Sequence, residues 1–93
     1  MYGYAENKEQ LRTRLNRIEG QVRGIQRMVA EDEYCIDILT QIAAANSALK
    51  KVAVALLHDH VRHCVADAAR KGAAQRDTKV AEASAAIERL LKS

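Results

Sequence analysis

The 93-residue chain lacks proline, tryptophan and phenylalanine, and three tyrosines are its only aromatic residues. Proline is the strongest helix breaker, so its absence leaves long helices uninterrupted. Alanine, leucine, lysine, arginine and glutamate, all good helix formers, are abundant instead. No segment has a convincing strand pattern. We therefore predict an all-α fold in which residues 1–93 form a single domain.

Long hydrophobic runs are also missing. No apolar stretch approaches the ~20 residues that span a bilayer, and Met1–Lys8 lacks the basic and apolar blocks of a signal peptide. We expect a soluble, cytoplasmic protein with no membrane partner. In that setting two cysteines indicate metal binding, redox or catalytic chemistry, or simple burial, rather than a structural disulfide.

Acidic charge is scarce in the first third of the chain. Residues 1–30 carry six basic and three acidic side chains, whereas nine of each balance in residues 31–93. The whole net charge of +3 therefore lies in the first segment. A face that binds a polyanion such as DNA would have this distribution, and so would an ordinary solvated helix face.

Apolar residues recur every three or four positions over Glu6–Met28, which predicts a first amphipathic helix. Gly20 and Gly24 stand four residues apart within it, so they share a face. Small residues on one face allow two helices to approach closely. We therefore predict a close helix crossing at this glycine pair.

An acidic stretch separates the first helix from a second. Glu31–Glu33 interrupt the apolar pattern, and Asp32 is a candidate N-cap for the helix that follows. That helix is predicted from Tyr34 to Lys71, with Gly72 as its C-terminal stop. A hairpin of the two helices would let their apolar stripes bury each other.

A third, shorter helix is predicted near the C-terminus. Residues 73–78 read as a polar connection, and the apolar spacing resumes at Val80 and continues to Leu91. Asp77 or Thr78 would cap the start of this helix.

Three potential metal ligands share one face of the second helix. At about 100° per residue, His60 and Cys64 each fall within about 20° of Cys35. A rise of about 1.5 Å per residue, however, separates the two cysteines by roughly 44 Å. One chain cannot close a site from these residues, so a second, antiparallel copy is required. His58 and His63 point away from this face, and we predict both at the surface.

The donor atoms of these three residues favour copper. His60 and Cys64 are four residues apart, as a pair that grips one ion would be, and Cys35 would supply a third donor. Two thiolates and one imidazole are soft donors that suit Cu(I), whereas zinc would recruit a fourth ligand. Buried cysteines and a solvated histidine are the alternative that needs no metal. We predict no enzyme activity, because no oxyanion donors, phosphate loop or carboxylate pair accompany them.

Two stretches of the sequence resemble the copper-sensing repressors of the CsoR/RcnR family. They are RLNRIEGQVRGIQRMVAEDEYCIDILTQIAAANSALKKVA and HDHVRHCVADA, and the resemblance extends from about Lys8 to Leu91. It implies that Cys35, His60 and Cys64 are Cu(I) ligands. It also implies a three-helix protomer with a long antiparallel hairpin, antiparallel dimers that share each copper site, and tetramers made of two dimers.

The resemblance also implies a function. The apo protein would bind operator DNA ahead of copper-export or copper-resistance genes, and Cu(I) binding would release it. Nickel and cobalt sensors of the family use an N-terminal histidine and a histidine as last ligand, where this chain has Gly3, Tyr4 and Cys64. Persulfide sensors lack the histidine that His60 supplies, and formaldehyde sensors lack the second cysteine.

Further residues take roles from the same resemblance. Tyr34 and Glu82 match a tyrosine and a third-helix glutamate that link to the bound histidine, with the connection before Glu82 one residue longer. Residues matched to DNA contacts are Arg14 and Lys51, supported by Arg17, Arg23, Arg27 and Lys50.

Two other functions remain open from the sequence. A repressor of the same fold could sense persulfides or other reactive sulfur through its thiols. A cytosolic copper carrier could bind the metal without acting on transcription. The basic first helix favours a DNA-binding protein over the carrier.

Overall fold

The computed structural model describes residues 7–92, which contain no β-strand. They form α1 (Lys8–Ala30), α2 (Cys35–Asp59), a π-helical turn (His60–Val65), α3 (Ala66–Lys71) and α4 (Ala73–Lys92). The π turn joins α2 to α3 without a break, so the chain forms three successive helical segments. The predicted all-α, three-helix fold is confirmed. None of these helices is long and apolar enough to cross a membrane.

The chain divides into two compact units, and α2 contributes to both. The first unit is Asn7–Val54, and the described part of the second is residues 55–92. The first unit therefore holds α1 and most of α2. The second holds the end of α2, the π turn, α3 and α4.

The core of the first unit is a row of apolar residues spaced by sevens. Leu11 and Ile18 are buried in α1, and Ala45 and Val52 are buried in α2. In an antiparallel hairpin with a short turn, Leu11 would stand level with Val52 and Ile18 with Ala45. A seven-residue repeat keeps one stripe of each helix facing its neighbour. The burial of these four residues is what two apolar stripes covering each other in a hairpin would produce.

Asp32 ends α1 rather than starting α2, so its predicted N-cap role is wrong. Its φ is 55°, the left-handed conformation that a helix C′ residue adopts. The amide of Glu33 bonds to the carbonyl of Met28 at 3.0 Å, and that of Asp32 to the carbonyl of Val29 at 3.2 Å. These two bonds form a Schellman motif, which satisfies carbonyls that the helix end leaves open. Both a cap and a C′ position attract short polar side chains, which is why the sequence did not separate them.

Asp32→Gly is expected to stabilise the protein by about 0.5–1 kcal/mol, because glycine adopts a positive φ without the steric cost that a Cβ brings. Chemical denaturation at fixed protein concentration measures the change. Glu31→Gly is the matched control, since Glu31 has φ −93° and gains nothing from glycine. Equal effects of the two substitutions would contradict the assignment of Asp32 to the C′ position.

In the second unit, α3 ends at Lys71, as the sequence predicted. Gly72 has φ 130° and its amide bonds to the carbonyl of Ala69, so it stops the helix as expected. The predicted connection over residues 73–78 is wrong, because α4 begins at Ala73. The capping roles predicted for Asp77 and Thr78 are wrong for the same reason. Both lie inside α4, where the Thr78 hydroxyl donates to the carbonyl of Ala74 at 2.9 Å.

Gly20 and Gly24 form no close crossing within the described chain. A Cβ added at either position would meet no atom within 4 Å. Gly20 lies nine residues from Leu11, which places it about 180° around the helix from that buried side chain. The four-residue spacing correctly predicted a shared face, but spacing alone did not tell which face is buried.

Candidate metal centre and nucleic-acid interface

Cys35 is the first residue of α2 and is exposed. The first turn of α2, which contains Cys35, is closed by the carbonyl of Tyr34, which accepts from the amides of Asp37 at 3.0 Å and Ile38 at 3.2 Å. The side chain of Tyr34 itself is exposed. The thiol of Cys35 is free and can therefore act as a metal donor.

His60 and Cys64 both lie in the π turn, at its first and fifth residues. Both side chains are half-buried, and the thiol of Cys64 is free. The sequence predicted an ordinary α-helix here, which is wrong over these six residues. A π turn bonds each amide to the carbonyl five residues back and so accommodates about one residue more than an α turn. Residues four apart still return to the same side of the helix, so the pair keeps a shared face.

The neighbouring histidines differ from each other. His58 is exposed, as predicted, but His63 is half-buried, so its predicted surface position is wrong. Among residues 7–92 of one chain, no three histidine, cysteine or acidic side chains come together in a way that could hold a metal ion. Gly3 and Tyr4, which bear on nickel binding, lie outside the described residues.

The face of α2 that carries Cys35 is exposed along its length. Leu39 is 58% exposed, and Ile42, Leu49 and Leu56 are 38–45% exposed. The buried residues Ala45 and Val52 lie on a different face of the same helix. A row of exposed leucine and isoleucine of this length is typical of a surface that another protein covers.

The cations matched to DNA contacts differ in what they bind within the chain. Arg23 pairs with Glu19, four residues earlier on α1. The other five have no ion-pair partner among the described residues, namely Arg14, Arg17, Arg27, Lys50 and Lys51. All of these lie in the first compact unit. In the same hairpin register, Arg14 would lie at nearly the same level as Lys51.

Glu82 lies on α4 and forms an exposed ion pair with Lys79, three residues earlier, at 3.3 Å. Helix α4 packs against both α3 and the π turn. The helix that carries Glu82 therefore supports the turn that carries His60 and Cys64.

The sequence matches the model of a family described as metal-sensitive transcriptional repressors, over residues 7–89. The chain belongs to this family. Its resemblance to metal-sensing repressors is thereby confirmed, and a regulator of transcription is not an enzyme.

Named relatives and solved structures agree with this assignment. The repressor is 55% identical over 92 residues to the copper-sensing transcriptional repressor RicR of Mycobacterium tuberculosis, covering 99% of this chain and 96% of RicR. A crystal structure of the copper-sensing repressor CsoR with Cu(I) from Geobacillus thermodenitrificans has a TM-score of 0.85 and 44% identity, covering 94% of this chain and 88% of that one.

A second solved structure shows that the fold alone does not determine which metal a protein of this kind senses. The nickel-responsive transcriptional regulator InrS has a TM-score of 0.74 and 38% identity, covering 88% of this chain and 90% of that one. Since similar folds serve a copper-sensing and a nickel-responsive regulator, the metal must be argued from the donor atoms. In this repressor they are two free thiols and an imidazole, a soft set that fits Cu(I).

Two structural features of the candidate metal centre were not predicted from the sequence. The π turn has no local composition signal, because it depends on how the helix packs at both ends. The burial of Asp59, directly before the turn, did have a signal in the sequence. Asp59 follows Ala45 and Val52 at the same spacing of seven, which places it on the buried stripe.

Proposed function

We propose that the chain is a Cu(I)-responsive transcriptional repressor whose apo form binds operator DNA and whose copper-bound form releases it. The observation that carries the proposal is the donor set of two free cysteines and one histidine on a continuous helical segment. The names of RicR and of the Cu(I)-bound CsoR structure support the same metal. The repressor would act in the cytoplasm as a single domain over residues 1–93.

The copper site would lie between two copies of the chain. Cys35 of one protomer would bind together with His60 and Cys64 of the partner subunit. The exposed apolar face of α2 supports this arrangement, because two antiparallel copies would bury it and bring their ligands level. Two such dimers would then form the tetramer. When bound, Cu(I) would link two chains, so its binding would report on their relative arrangement.

The operator DNA would lie against the cations of the first unit, Arg14 and Lys51 with Arg17, Arg23, Arg27 and Lys50. Among residues 7–92, all of these cations but Arg23 lack an ion pair, which supports this role because their charges remain available to phosphate. Contacts of this kind release counterions, so affinity would fall steeply as salt is raised.

A competitive Cu(I) titration in the presence and absence of a duplex from upstream of the repressor's own gene tests the proposal. Linkage requires that DNA weaken copper binding by the same factor as copper weakens DNA binding, typically about 5- to 150-fold. Equal copper affinity with and without DNA would contradict it. Two further arms separate the alternatives: release by Ni(II) alone would indicate a nickel sensor, and release by a persulfide donor without copper would indicate a sulfur sensor.

Tyr34 and Glu82 would connect the bound histidine to the rest of the protomer. We expect Tyr34→Phe and Glu82→Gln to retain copper but to reduce the copper-induced loss of DNA affinity, by a factor of about 5 or more. Fluorescence anisotropy of labelled duplex, with and without buffered Cu(I), measures this. Glu88→Gln is the matched control on the same helix. A normal copper response in both variants would remove the two residues from the coupling.

A further inference from the structure

Asp59 is the one buried polar or charged residue of the described chain, at 3% exposure. It is the last residue of α2 and stands directly before the π turn. Every buried side-chain oxygen or nitrogen among residues 7–92 has a hydrogen-bond partner. The carboxylate of Asp59 is therefore held inside the protein and is engaged by at least one interaction there.

A carboxylate is a costly choice at this position. Val52 and Ala45 occupy the same stripe one and two heptads earlier, respectively, and both are apolar. An apolar side chain at residue 59 would continue that stripe without the cost of removing a charge from water. Buried charged groups of this kind can specify one local geometry at the expense of stability.

The geometry that Asp59 can specify is that of the π turn. In an uninterrupted α-helix, Asp59 and Ala68 would lie about 180° apart, since nine residues separate them. Both are nevertheless buried, at 3% and 6% exposure. The extra residue accommodated by the π turn brings Ala68 about 100° closer to the Asp59 side. The turn is thus held between two buried residues, one at each end.

The same constraint orients the metal ligands. At about 100° per residue, His60 points to a different side from Asp59, and it is half-buried where Asp59 is buried. Once the inward direction of Asp59 is fixed, the rotation of the turn is fixed too. The directions of His60 and Cys64 then follow from the π geometry between them. Relaxation of this turn to an α-helix would rotate Cys64 relative to His60.

We propose that Asp59 is a positioning residue of the metal site, which anchors the π turn so that His60 and Cys64 are held ready for one ion. The proposal rests on the proposed copper function. Asp59 itself is not proposed as a ligand, because its carboxylate is buried and already engaged within the protein, and no three histidine, cysteine or acidic side chains of residues 7–92 come together to hold a metal ion. Its effect is on how well the two ligands are arranged before the ion arrives.

Asp59→Asn and Asp59→Leu test the proposal in the full-length oligomer. Asparagine keeps the shape but exchanges an acceptor for a donor, and leucine continues the apolar stripe. Asp67→Asn, an exposed carboxylate just after the turn, is the control. We expect both Asp59 variants to fall about 10- to 100-fold in Cu(I) affinity in a competitive titration, while the control is unchanged. X-ray absorption should show loss of uniform coordination by two sulfurs and one nitrogen.

A metal-free measurement separates positioning from stability. Amide hydrogen exchange of residues 61–65 in the apo protein should be about tenfold faster in the Asp59 variants, while residues of α1 and the melting temperature of Asp59→Leu stay at or above wild-type values. Unchanged exchange and copper affinity in both variants, or failure of both to fold, would overturn the proposal. If wild-type protein itself binds no Cu(I), the proposed function fails, and this proposal fails with it.

Discussion

Cys64→Ala is expected to bind operator DNA with wild-type affinity and to lose its response to copper. The substitution removes one of the three proposed donors, and the remaining thiolate and imidazole would hold Cu(I) more weakly and without the three-coordinate arrangement proposed to change DNA affinity. Wild-type protein should lose about 5- to 150-fold in DNA affinity when copper is added, whereas the variant should change by less than about twofold. Fluorescence anisotropy of a labelled duplex, with Cu(I) held at a buffered concentration, measures both.

His58→Ala is the matched control for this experiment. His58 is exposed and lies two residues before His60, so its loss should leave the copper response intact. A normal copper response in Cys64→Ala would exclude Cys64 as a ligand. Loss of DNA binding by metal-free Cys64→Ala would show instead that the substitution damages the repressor itself.

A mixing experiment tests whether the ligands come from two chains. Chains with Cys35→Ala are combined with chains carrying both His60→Ala and Cys64→Ala. Neither homodimer has a complete site, but an antiparallel heterodimer would have one complete site and one empty one. We expect isolated heterodimers to bind about one copper per two chains. No copper binding by a heterodimer of confirmed composition would refute a shared site.

Arg14→Ala and Lys51→Ala are each expected to weaken DNA binding about tenfold and to reduce the slope of log affinity against log salt by about 1. Each substitution removes a cation with no internal ion pair, so one phosphate contact and its released counterion are lost. The double variant should lose roughly the product of the two effects. Salt titrations of operator binding, followed by anisotropy, measure affinity and slope together.

Arg12→Ala controls for the loss of positive charge. Arg12 lies on the same helix but is paired with Glu9 at 3.3 Å, so its charge is already partly neutralised. Its substitution should change DNA affinity by less than about threefold. An effect of Arg12→Ala equal to that of Arg14→Ala would assign DNA binding to overall charge rather than to a defined surface. Copper affinity should be unchanged in all three variants.

The three helical segments could be predicted because each is long enough to show a repeating apolar pattern. Apolar residues repeat at threes and fours through Leu11 and Ile18 on α1 and throughout α2, and that periodicity needs no knowledge of the partner helix. Gly72 likewise ended α3 as expected, because only a residue tolerant of positive φ fits there. Cys35, His60 and Cys64 could be predicted as candidate ligands for the same reason, as side chains on one helical face.

Details at the helix ends could not be predicted in the same way. Asp32 carries a short carboxylate that suits a helix start and a helix end alike, and only its φ of 55° decides between them. Asp77 and Thr78 are good N-caps in isolation. The start of α4 was instead fixed by Gly72, after which the chain is helical at once.

The sequence by itself determined the helical class and the basic character of the first segment, and it predicted the donor atoms and the second copy, since each follows from residue type and periodic spacing. Only the tertiary structure decided that the turn carrying His60 and Cys64 is π-helical, and which of the matched cations lack an ion pair within residues 7–92. These depend on contacts between residues distant in sequence, such as those of α4 with the π turn. Helical periodicity gives the direction of a side chain along an ideal helix, whereas packing decides where the real helix departs from it.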